Sequence, residues 1–415
     1  MFKYNREIKF SHLSLILLGI TVCLWSTAWD FFNLIRSSQL FYLSVIFVST
    51  LIFLFYFDLK EIQKSIIYLF IFFLSIHTIY FFVGLVEYIS KGYGIFHIIE
   101  YFIKQNISIV FCLLFSQYLF NEENIDKFIK TVIYSYIIIF SILIYVYLFI
   151  FNSDYIGTKI DFDFGRSRHN KNTLGVFIIL IFPFILTYIF KSKSLFMGSI
   201  FFTLYSIMVY KIDSSTVVII SFFQLALYSY ILSRKSYLRL LIVIFCLIII
   251  YPNFIKEEFI KSSNNLNLYQ SSSELLESDF LKEDIDQKPF IFLNSHRGSL
   301  LYSGLQKVKN DFFIGSGVQS FRIRDDNFGS LTETHNSYLS ILVDYGILGI
   351  ILHLFFYFFV LVKILKKKNL KITNYDLASI IYISSLLLTL NFINFEYTLS
   401  IWLLNGICLT RAFSK

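Results

Sequence analysis

The sequence predicts an all-α integral membrane protein, and three observations lead to that fold class. Hydrophobic residues make up 56% of the 415 residues and charged residues only 15%, whereas a soluble domain carries about a quarter charged residues. The apolar residues gather into stretches of about 20, the length that a helix needs to cross a bilayer. Lysine and arginine concentrate in alternate loops between these stretches, as the positive-inside rule requires.

Twelve apolar stretches have the length of a transmembrane helix. Their predicted bounds are 10–29, 38–57, 65–86, 97–120, 128–151, 172–190, 194–211, 214–233, 238–252, 337–362, 376–393 and 395–412. The first is expected to be a retained helix, because it lacks the small-residue cleavage site of a signal peptide. The fourth is unusually polar for a span, since it contains Glu100, Lys104, Gln105 and Asn106.

A cytoplasmic N-terminus places most basic loop residues on the cytoplasmic side and few in the short outer loops. The residues assigned to that side are Lys3, Arg6, Lys9, Lys60, Lys64, Lys127, Lys130, Lys191, Lys193, Arg234, Lys235, Arg239, Lys363, Lys366, Lys367 and Lys368. Because one missed helix would invert every later loop, this agreement supports both the helix count and the orientation. Both termini are therefore expected in the cytoplasm.

The chain divides into nine helices in 1–252, a large outer loop in 253–336 and three helices in 337–415. The first half of the loop is rich in Ser, Asn and acidic residues, which predicts a mobile segment. In its second half Leu301, Leu305, Val308 and Phe312 recur at helical spacing after a potential cap at Ser295. This pattern predicts a short amphipathic helix on the membrane surface.

Neither the net charge nor the cysteines indicate a soluble function. The charge of +8 comes from basic residues scattered through short loops rather than gathered on one face, so a nucleic-acid partner is not expected. Cys23, Cys112, Cys246 and Cys408 all lie inside apolar stretches without metal-type spacing. We interpret them as small buried residues rather than disulfides or ligands.

The outer segments contain the basic side chains that could bind an anionic substrate. They are Arg166, Arg168, Lys171, Arg297, Arg322 and Arg324, together with His169, His296 and His335. A guanidinium group binds phosphate oxygens through two parallel hydrogen bonds and stays charged, which suits a pyrophosphate ligand. The alternative is that these residues contact lipid headgroups or pair with acids of the loop.

His335 ends the hydrophilic loop where a helix begins with "NSYLSILVDYGILG". An imidazole with an ordinary pKa of about 6.5 can accept a proton from a sugar hydroxyl at neutral pH. The alternative is a structural histidine that caps the helix or is satisfied by Asn336. His169 is a second candidate base. Four other histidines are interpreted as helix or interface residues: His12, His77, His97 and His353.

Asp161 and Asp163 form a D-x-D, a spacing that holds a divalent metal in some sugar-nucleotide enzymes. A single pair is weak evidence, because hard cations need several converging oxygen ligands. The sequence has no Gly-rich phosphate loop before a helix, no metal-spaced His and Cys cluster and no nucleophile elbow. No metal or other cofactor is expected.

The stretch from Ser295 to Gly349 resembles the O-antigen ligase and polymerase superfamily, which are integral membrane glycosyltransferases of the C type. The resemblance rests on three landmarks in fixed order, "SHRGSLLYSGL", "NDFFIGSGVQSF" and "HNSYLSILVDYGILG". Upstream, "RHNKNTLG" (168–175) and "DSSTVVIIS" (213–221) look like the family's approach to its middle helices and the Ser-rich start of a later one. Twelve helices with the main outer loop before helix 10 are also similar to the family.

This resemblance implies metal-independent, inverting transfer of a glycan from undecaprenyl pyrophosphate on the periplasmic side of a bacterial inner membrane. Arg297 matches the family's loop arginine, His335 its HN histidine, and Arg166 or Arg168 its arginine before the middle helices. Arg322 and Arg324 are further candidates for pyrophosphate binding, and Asn336 is an additional candidate site residue. The partners implied are the lipid-linked oligosaccharide, membrane lipids and a chain-length regulator.

Three functions stay open, in decreasing order of support. "HNKNTLG" favours an O-antigen or exopolysaccharide polymerase over an O-antigen ligase that transfers the finished chain to lipid A-core. The alternative from another class is a polysaccharide flippase. Transporters often contain repeats and helices broken by Gly or Pro at the midplane, whereas this chain has three prolines and no visible repeat. A long outer loop that ends in Arg and His also suits an enzyme better.

Overall fold

The computed structural model describes the parts of the chain that form the helix bundle and its neighbouring segments. These parts are 16–23, 29–31, 37–56, 64–90, 95–146, 149, 160–162, 165–167, 171–212, separate helical residues between 217 and 228, 304–305, 307–309, 311–318, 336–369, 373–390 and 399–414. Within them the protein is an all-α membrane protein with one very small sheet.

Nine helices form the bundle in the described parts of the chain, in addition to helical residues at 16–23 and between 217 and 228. They are α1 (Ser37–Tyr56), α2 (Lys64–Ser90), α3 (Phe96–Tyr118), α4 (Glu122–Tyr145), α5 (Lys171–Ser192), α6 (Leu195–Ile212), α7 (Ser337–Leu365), α8 (Asn374–Thr389) and α9 (Leu399–Phe413). A 3₁₀ helix, Lys366–Asn369, follows α7.

Four helices among the described residues are long and apolar enough to cross a membrane. Their spans are Ile66–Ser90, Ile98–Tyr118, Glu122–Tyr145 and Ser337–Leu365. Four shorter apolar helices are Leu43–Ile52, Ile178–Ser192, Phe196–Val209 and Ile401–Phe413. All eight overlap predicted stretches, which confirms the membrane class. The count of twelve stays a prediction, and stretch 238–252 lies outside the described residues.

Helix α4 starts earlier than the apolar pattern predicted. The predicted stretch began at residue 128, whereas α4 begins at Glu122 because the Asn121 side chain accepts a hydrogen bond from the Glu123 N–H at 3.0 Å. Glu122 and Glu123 also stabilise the positive end of the helix dipole. The first turn is therefore polar and escapes a search for hydrophobic residues.

Helix α9 is the centre of the bundle. Every residue from Ile401 to Phe413 is buried, and a helix that is apolar on all sides belongs inside other helices. The Thr410 hydroxyl donates to the Ser116 carbonyl of α3 at 2.6 Å, which joins the two helices. Cys23, Cys112 and Cys408 are buried, which confirms their interpretation, while Cys246 lies outside the described residues.

A buried ionic cluster closes one end of the bundle around Arg411. Its guanidinium contacts Glu122 at 2.8 Å, Asp376 at 3.0 Å and the Thr373 hydroxyl at 2.9 Å. Lys367 donates to the Arg411 carbonyl. Burial lowers the pKa of the Lys367 ammonium, and the Asp376 carboxylate 3.7 Å away opposes that change. The ends of α9 and of the α7–α8 connection thus meet the start of α4.

The same cluster extends to the end of α5. Lys191 contacts Asp126 at 2.8 Å, and the Tyr375 hydroxyl donates to Asp126 at 2.6 Å. At the opposite end, the Ser337 N–H donates to the Leu390 carbonyl at 2.8 Å. These contacts place helix ends on the two sides of the bundle in the alternation that an up-and-down threading requires. Which side is cytoplasmic stays a prediction.

Three short antiparallel strands form a sheet in the order β1-β3-β2. They are β1 (Trp29–Phe31), β2 (Ile160–Phe162) and β3 (Gly165–Ser167). The backbone register sets Arg166 opposite both Asp30 and Asp161. The outer segment before α5, which had no predicted secondary structure, therefore pairs with the segment before α1.

We expect Arg411→Gln to destabilise the protein strongly, by about 3–5 kcal/mol, because it leaves the buried Asp376 carboxylate without its charged partner. Thermal unfolding of the purified protein in detergent measures the effect. The matched control is Lys127→Gln, which breaks an ion pair with Glu123 whose side chains are 35% and 66% exposed. It should change stability by about 0.5 kcal/mol or less. Equal effects would show that the cluster is not structural.

Candidate functional site

Helix α7 is broken at Gly346, inside its membrane-spanning part. Gly346 has φ 64° and ψ −167°, a conformation that is open to glycine and strongly strained for other residues. The break lies nine residues after Ser337, or about 14 Å along the helix at 1.5 Å per residue. Such non-helical backbone is tolerated at membrane depth only where protein or a water-filled cavity satisfies its polar groups.

Residues 311–318, here called the docking segment, satisfy the broken backbone. The Ile347 N–H, whose helical acceptor would be the Val343 carbonyl, donates instead to Phe312 at 2.9 Å. In return the Ser316 N–H donates to the Val343 carbonyl at 2.8 Å, and the Gly317 N–H donates to the Asp344 carbonyl at 2.9 Å. The helix and the segment thus exchange hydrogen bonds in both directions.

The exchange requires close backbone approach on both sides of the docking segment. A Cβ at Gly315, whose φ is 78°, would lie 2.5 Å from the Gly346 nitrogen. On the other side the Val318 N–H donates to the Tyr80 carbonyl of α2 at 3.2 Å. A Cβ at Gly84 would lie 2.6 Å from the Val318 oxygen. The segment is therefore held between α2 and α7.

Two landmarks that are separate in the sequence meet at this point. The docking segment contains the "IGSG" of "NDFFIGSGVQSF", and the break falls in the "DYG" of "HNSYLSILVDYGILG". The sequence showed the order of these landmarks but gave no sign that they contact each other. Their glycines make the contact, because a side chain at Gly315 or Gly346 would occupy the space of the partner backbone.

The helical residues just before the docking segment pack on the first turns of α7. Val308 is buried against Leu339 and Val343, and the Lys307 ammonium lies 3.8 Å from the Glu87 carboxylate of α2. Leu305, predicted with Val308 on the apolar face of a helix on the membrane surface, is 47% exposed.

Phe312, also predicted for that face, is 43% exposed. Exposed apolar side chains at these two positions are compatible with contact with lipid, so the membrane-facing helix stays a prediction. The small Gly304, buried four residues before Val308, occupies the packed side instead.

A buried polar network surrounds Tyr345, the residue before the break. Its hydroxyl lies 3.0 Å from His77 Nδ1 and accepts from Gln105 Nε2 at 3.4 Å. The Tyr80 hydroxyl donates to the Tyr345 carbonyl at 3.1 Å. His353, eight residues further along α7, lies with its ring 5.8 Å from the Tyr345 ring. Helices α2, α3 and α7 therefore converge on one tyrosine.

This network was missed as a unit by sequence reasoning. His77 and His353 were predicted to be helix or interface residues, and their burial inside α2 and α7 confirms that. The polar composition of the fourth apolar stretch was the available signal, because Gln105 in α3 is wholly buried and faces Tyr345. Buried polar groups inside a membrane bundle commonly mark functional positions.

Asn336 caps α7, since its side chain accepts from the Leu339 N–H at 3.0 Å. Asn336 therefore occupies the N-cap position of α7. His335 and Arg297, the main predicted site residues, lie outside the described residues. The same holds for Arg168, His169, His296, Arg322 and Arg324.

Arg166 is described by its backbone position on β3, opposite Asp30 and Asp161. Lys171 is the first residue of α5. Asp163, the second acid of the D-x-D, lies outside the described residues.

Neither a family model nor a curated protein matches this chain. The resemblance to the ligase and polymerase superfamily therefore stays a prediction from the sequence landmarks, two of which meet at the break in α7.

We expect Gly346→Ala to release the docking segment, because the added Cβ would clash with the Phe313 carbonyl and would strain the backbone. Amide hydrogen–deuterium exchange measured by mass spectrometry should be faster for peptides that contain Ser316, Gly317 and Ile347. The amides of these residues donate the hydrogen bonds between the docking segment and α7. Gly406→Ala is the matched control, since its Cβ would come no closer than 3.3 Å to Cys112. If these amides were equally protected from exchange in Gly346→Ala, Gly346 would not be required to hold the docking segment on α7.

Tyr345→Phe should destabilise the protein by about 1–3 kcal/mol, because it removes a hydroxyl that both His77 and Gln105 contact inside the bundle. Thermal unfolding in detergent checks this value. Tyr145→Phe is the control, since Tyr145 is 59% exposed near the end of α4. If the two substitutions had the same effect, the network would contribute nothing to stability.

Proposed function

We propose that this protein is a polysaccharide polymerase of the O-antigen type, a membrane glycosyltransferase of lipopolysaccharide biosynthesis. It transfers a growing glycan from undecaprenyl pyrophosphate to the next lipid-linked repeat unit on the periplasmic face of the inner membrane. The fold in this proposal is of the C type with about twelve helices. The reaction inverts the anomeric carbon and uses neither metal nor cofactor.

The observation that carries this proposal is the hydrogen-bond exchange between the docking segment and α7. It holds the C-terminal part of the large outer loop against the first turns of the helix that His335 precedes. Val308 packs on Leu339 and Val343, three and seven residues beyond Asn336. A catalytic residue placed next to such a fixed helix start can be held in a constant position relative to the loop.

Arg297 lies on the same predicted helix as Val308. Arg297 precedes Val308 by about three helical turns, so the two share a face if the helix predicted from Ser295 is continuous. Val308 is on the face that packs against α7. This spacing supports a site in which Arg297 and His335 act together.

In the proposed reaction the acceptor hydroxyl oxygen bonds to the anomeric carbon as the bond to the pyrophosphate oxygen breaks. His335 takes the hydroxyl proton, with His169 as the second candidate base. The pyrophosphate leaves with the bonding electron pair. Guanidinium groups of Arg297, of Arg322 and Arg324, and of Arg166 or Arg168 stabilise the charge that develops there.

The break at Gly346 also favours a second candidate, a polysaccharide flippase. Transporters often bind substrate at helices interrupted near the membrane midplane. The sequence argument against this class was the small number of prolines and the lack of a visible repeat, whereas α7 is interrupted at a glycine. The ligase, which would use lipid A-core as its acceptor, is the other alternative and shares the proposed site.

We expect His335→Ala and Arg297→Ala to abolish long polymer in a strain that depends on this gene, with the loss of a positioned base alone slowing transfer about 10²–10⁴-fold. Electrophoretic ladders of surface polysaccharide provide the measurement. A polymerase defect leaves one repeat unit on lipid A-core, and a ligase defect leaves none.

Lys309→Ala is the matched control, because Lys309 is an exposed cation two residues from the docking segment. It should leave the ladder unchanged, and immunoblots should show equal protein in all strains. Full-length polymer in both site variants would exclude the enzyme and leave the flippase.

A further inference from the structure

Helix α3 carries an ion pair inside its membrane-spanning part that the proposed reaction does not use. Lys104 donates to Glu100 one turn earlier, and both side chains are 43% exposed. Both residues fall in the candidate span Ile98–Tyr118. A half-exposed pair at this spacing contributes little to stability, whereas a charged side chain within a span is costly and commonly marks a pathway or a binding site.

The pair lies near the N-terminal end of the candidate span, which begins at Ile98. Counted from Ile98, Glu100 is about 3 Å and Lys104 about 9 Å along the helix axis. A lysine side chain on a helix points toward the helix N-terminus, so the Lys104 ammonium is directed back to the membrane surface, where Glu100 meets it. Ile98 itself packs beside Phe81 and Tyr88 of α2.

The pair also lies between an exposed apolar flank of α3 and the side of α3 that faces the docking segment. On one flank of α3, Phe96 and Ile103 are 73% and 51% exposed. On the other flank, Tyr101 packs with the cluster that contains Tyr80, Val318 and Tyr345. A ligand that contacts Lys104 would therefore have apolar surface on one side of it and the docking segment on the other.

We propose that Lys104 binds the phosphate of a polyprenyl phosphate lipid that approaches α3 from the bilayer. An ammonium offers three hydrogen-bond donors to phosphate oxygens, and the exposed Phe96 and Ile103 give the polyprenyl chain an apolar surface. Glu100 is the counter-ion that holds Lys104 when the site is empty. This assignment rests on the proposed function, in which Lys104 would bind the lipid-linked substrate as it approaches the proposed catalytic site.

The pairing gives the two residues opposite roles in binding. The phosphate competes with Glu100 for the Lys104 ammonium, and the carboxylate repels the phosphate. Removing the lysine charge therefore weakens phosphate binding, while removing the glutamate charge strengthens it. A purely structural ion pair predicts changes of the same sign in both variants.

Native mass spectrometry of the full chain in a maltoside detergent tests this, with undecaprenyl phosphate as the probe and undecaprenol, which lacks the phosphate, as its control. The wild type should bind the phosphate lipid more tightly than the alcohol. Lys104→Gln should raise the dissociation constant about tenfold, as expected for the loss of one hydrogen bond to a charged group. Glu100→Gln should lower it, and the double variant should resemble Lys104→Gln.

Lys130→Gln, on an exposed position of α4, is the control and should not change binding. The assignment is overturned if both single variants weaken binding, if neither changes it, or if phosphatidylglycerol binds equally well with the same dependence on Lys104. It is also overturned if the Lys104 charge governs dimer formation instead. Each of these failures is separable from failure of the polymerase, which the His335 and Arg297 ladders test independently.

Discussion

A helix that crosses hydrocarbon has to pair its backbone N–H and C=O groups, and at the break around Gly346 the docking segment supplies partners for three of those groups in α7. The Phe312 carbonyl and the amides of Ser316 and Gly317 replace the helical partners that the break removes. Without them, polar backbone groups would be buried at a cost of several kcal/mol each. The docking segment thus completes the backbone hydrogen bonding of a helix that is long and apolar enough to cross a membrane.

This constraint organises the surrounding structure. The segment that completes α7 also bonds to Tyr80 of α2, and the Tyr345 side chain beside the break extends the contact to α3 through Gln105. Three helices, the loop end and the start of α7 are therefore fixed relative to one another. In the proposed polymerase such rigidity holds a base and a phosphate-binding arginine in one geometry, as preorganised electrostatic catalysis requires.

The membrane class was predictable because apolar length and low charge are properties of each segment by itself. The start of α4 was misplaced because Asn121 and two glutamates form a polar cap that an apolar pattern overlooks. The break at Gly346 was not predictable, since "DYGILG" has the composition of an ordinary apolar helix and the partner backbone lies some thirty residues earlier in the chain. His335 and Arg297 stay sequence predictions.

Cross-linking between α2 and the loop tests most directly whether the break at Gly346 holds the loop end on the bundle. The substitutions Glu87→Cys and Lys307→Cys, at side chains whose charged ends lie 3.8 Å apart, would be joined by a short bis-methanethiosulfonate, which is reactive toward two thiols, in a chain whose native cysteines are replaced by alanine. The account predicts efficient intramolecular cross-linking that falls sharply when Gly346→Ala is added, and none between residue 307 and a cysteine at Val362 near the far end of α7. Absence of the first cross-link, or its persistence in Gly346→Ala, would contradict the account.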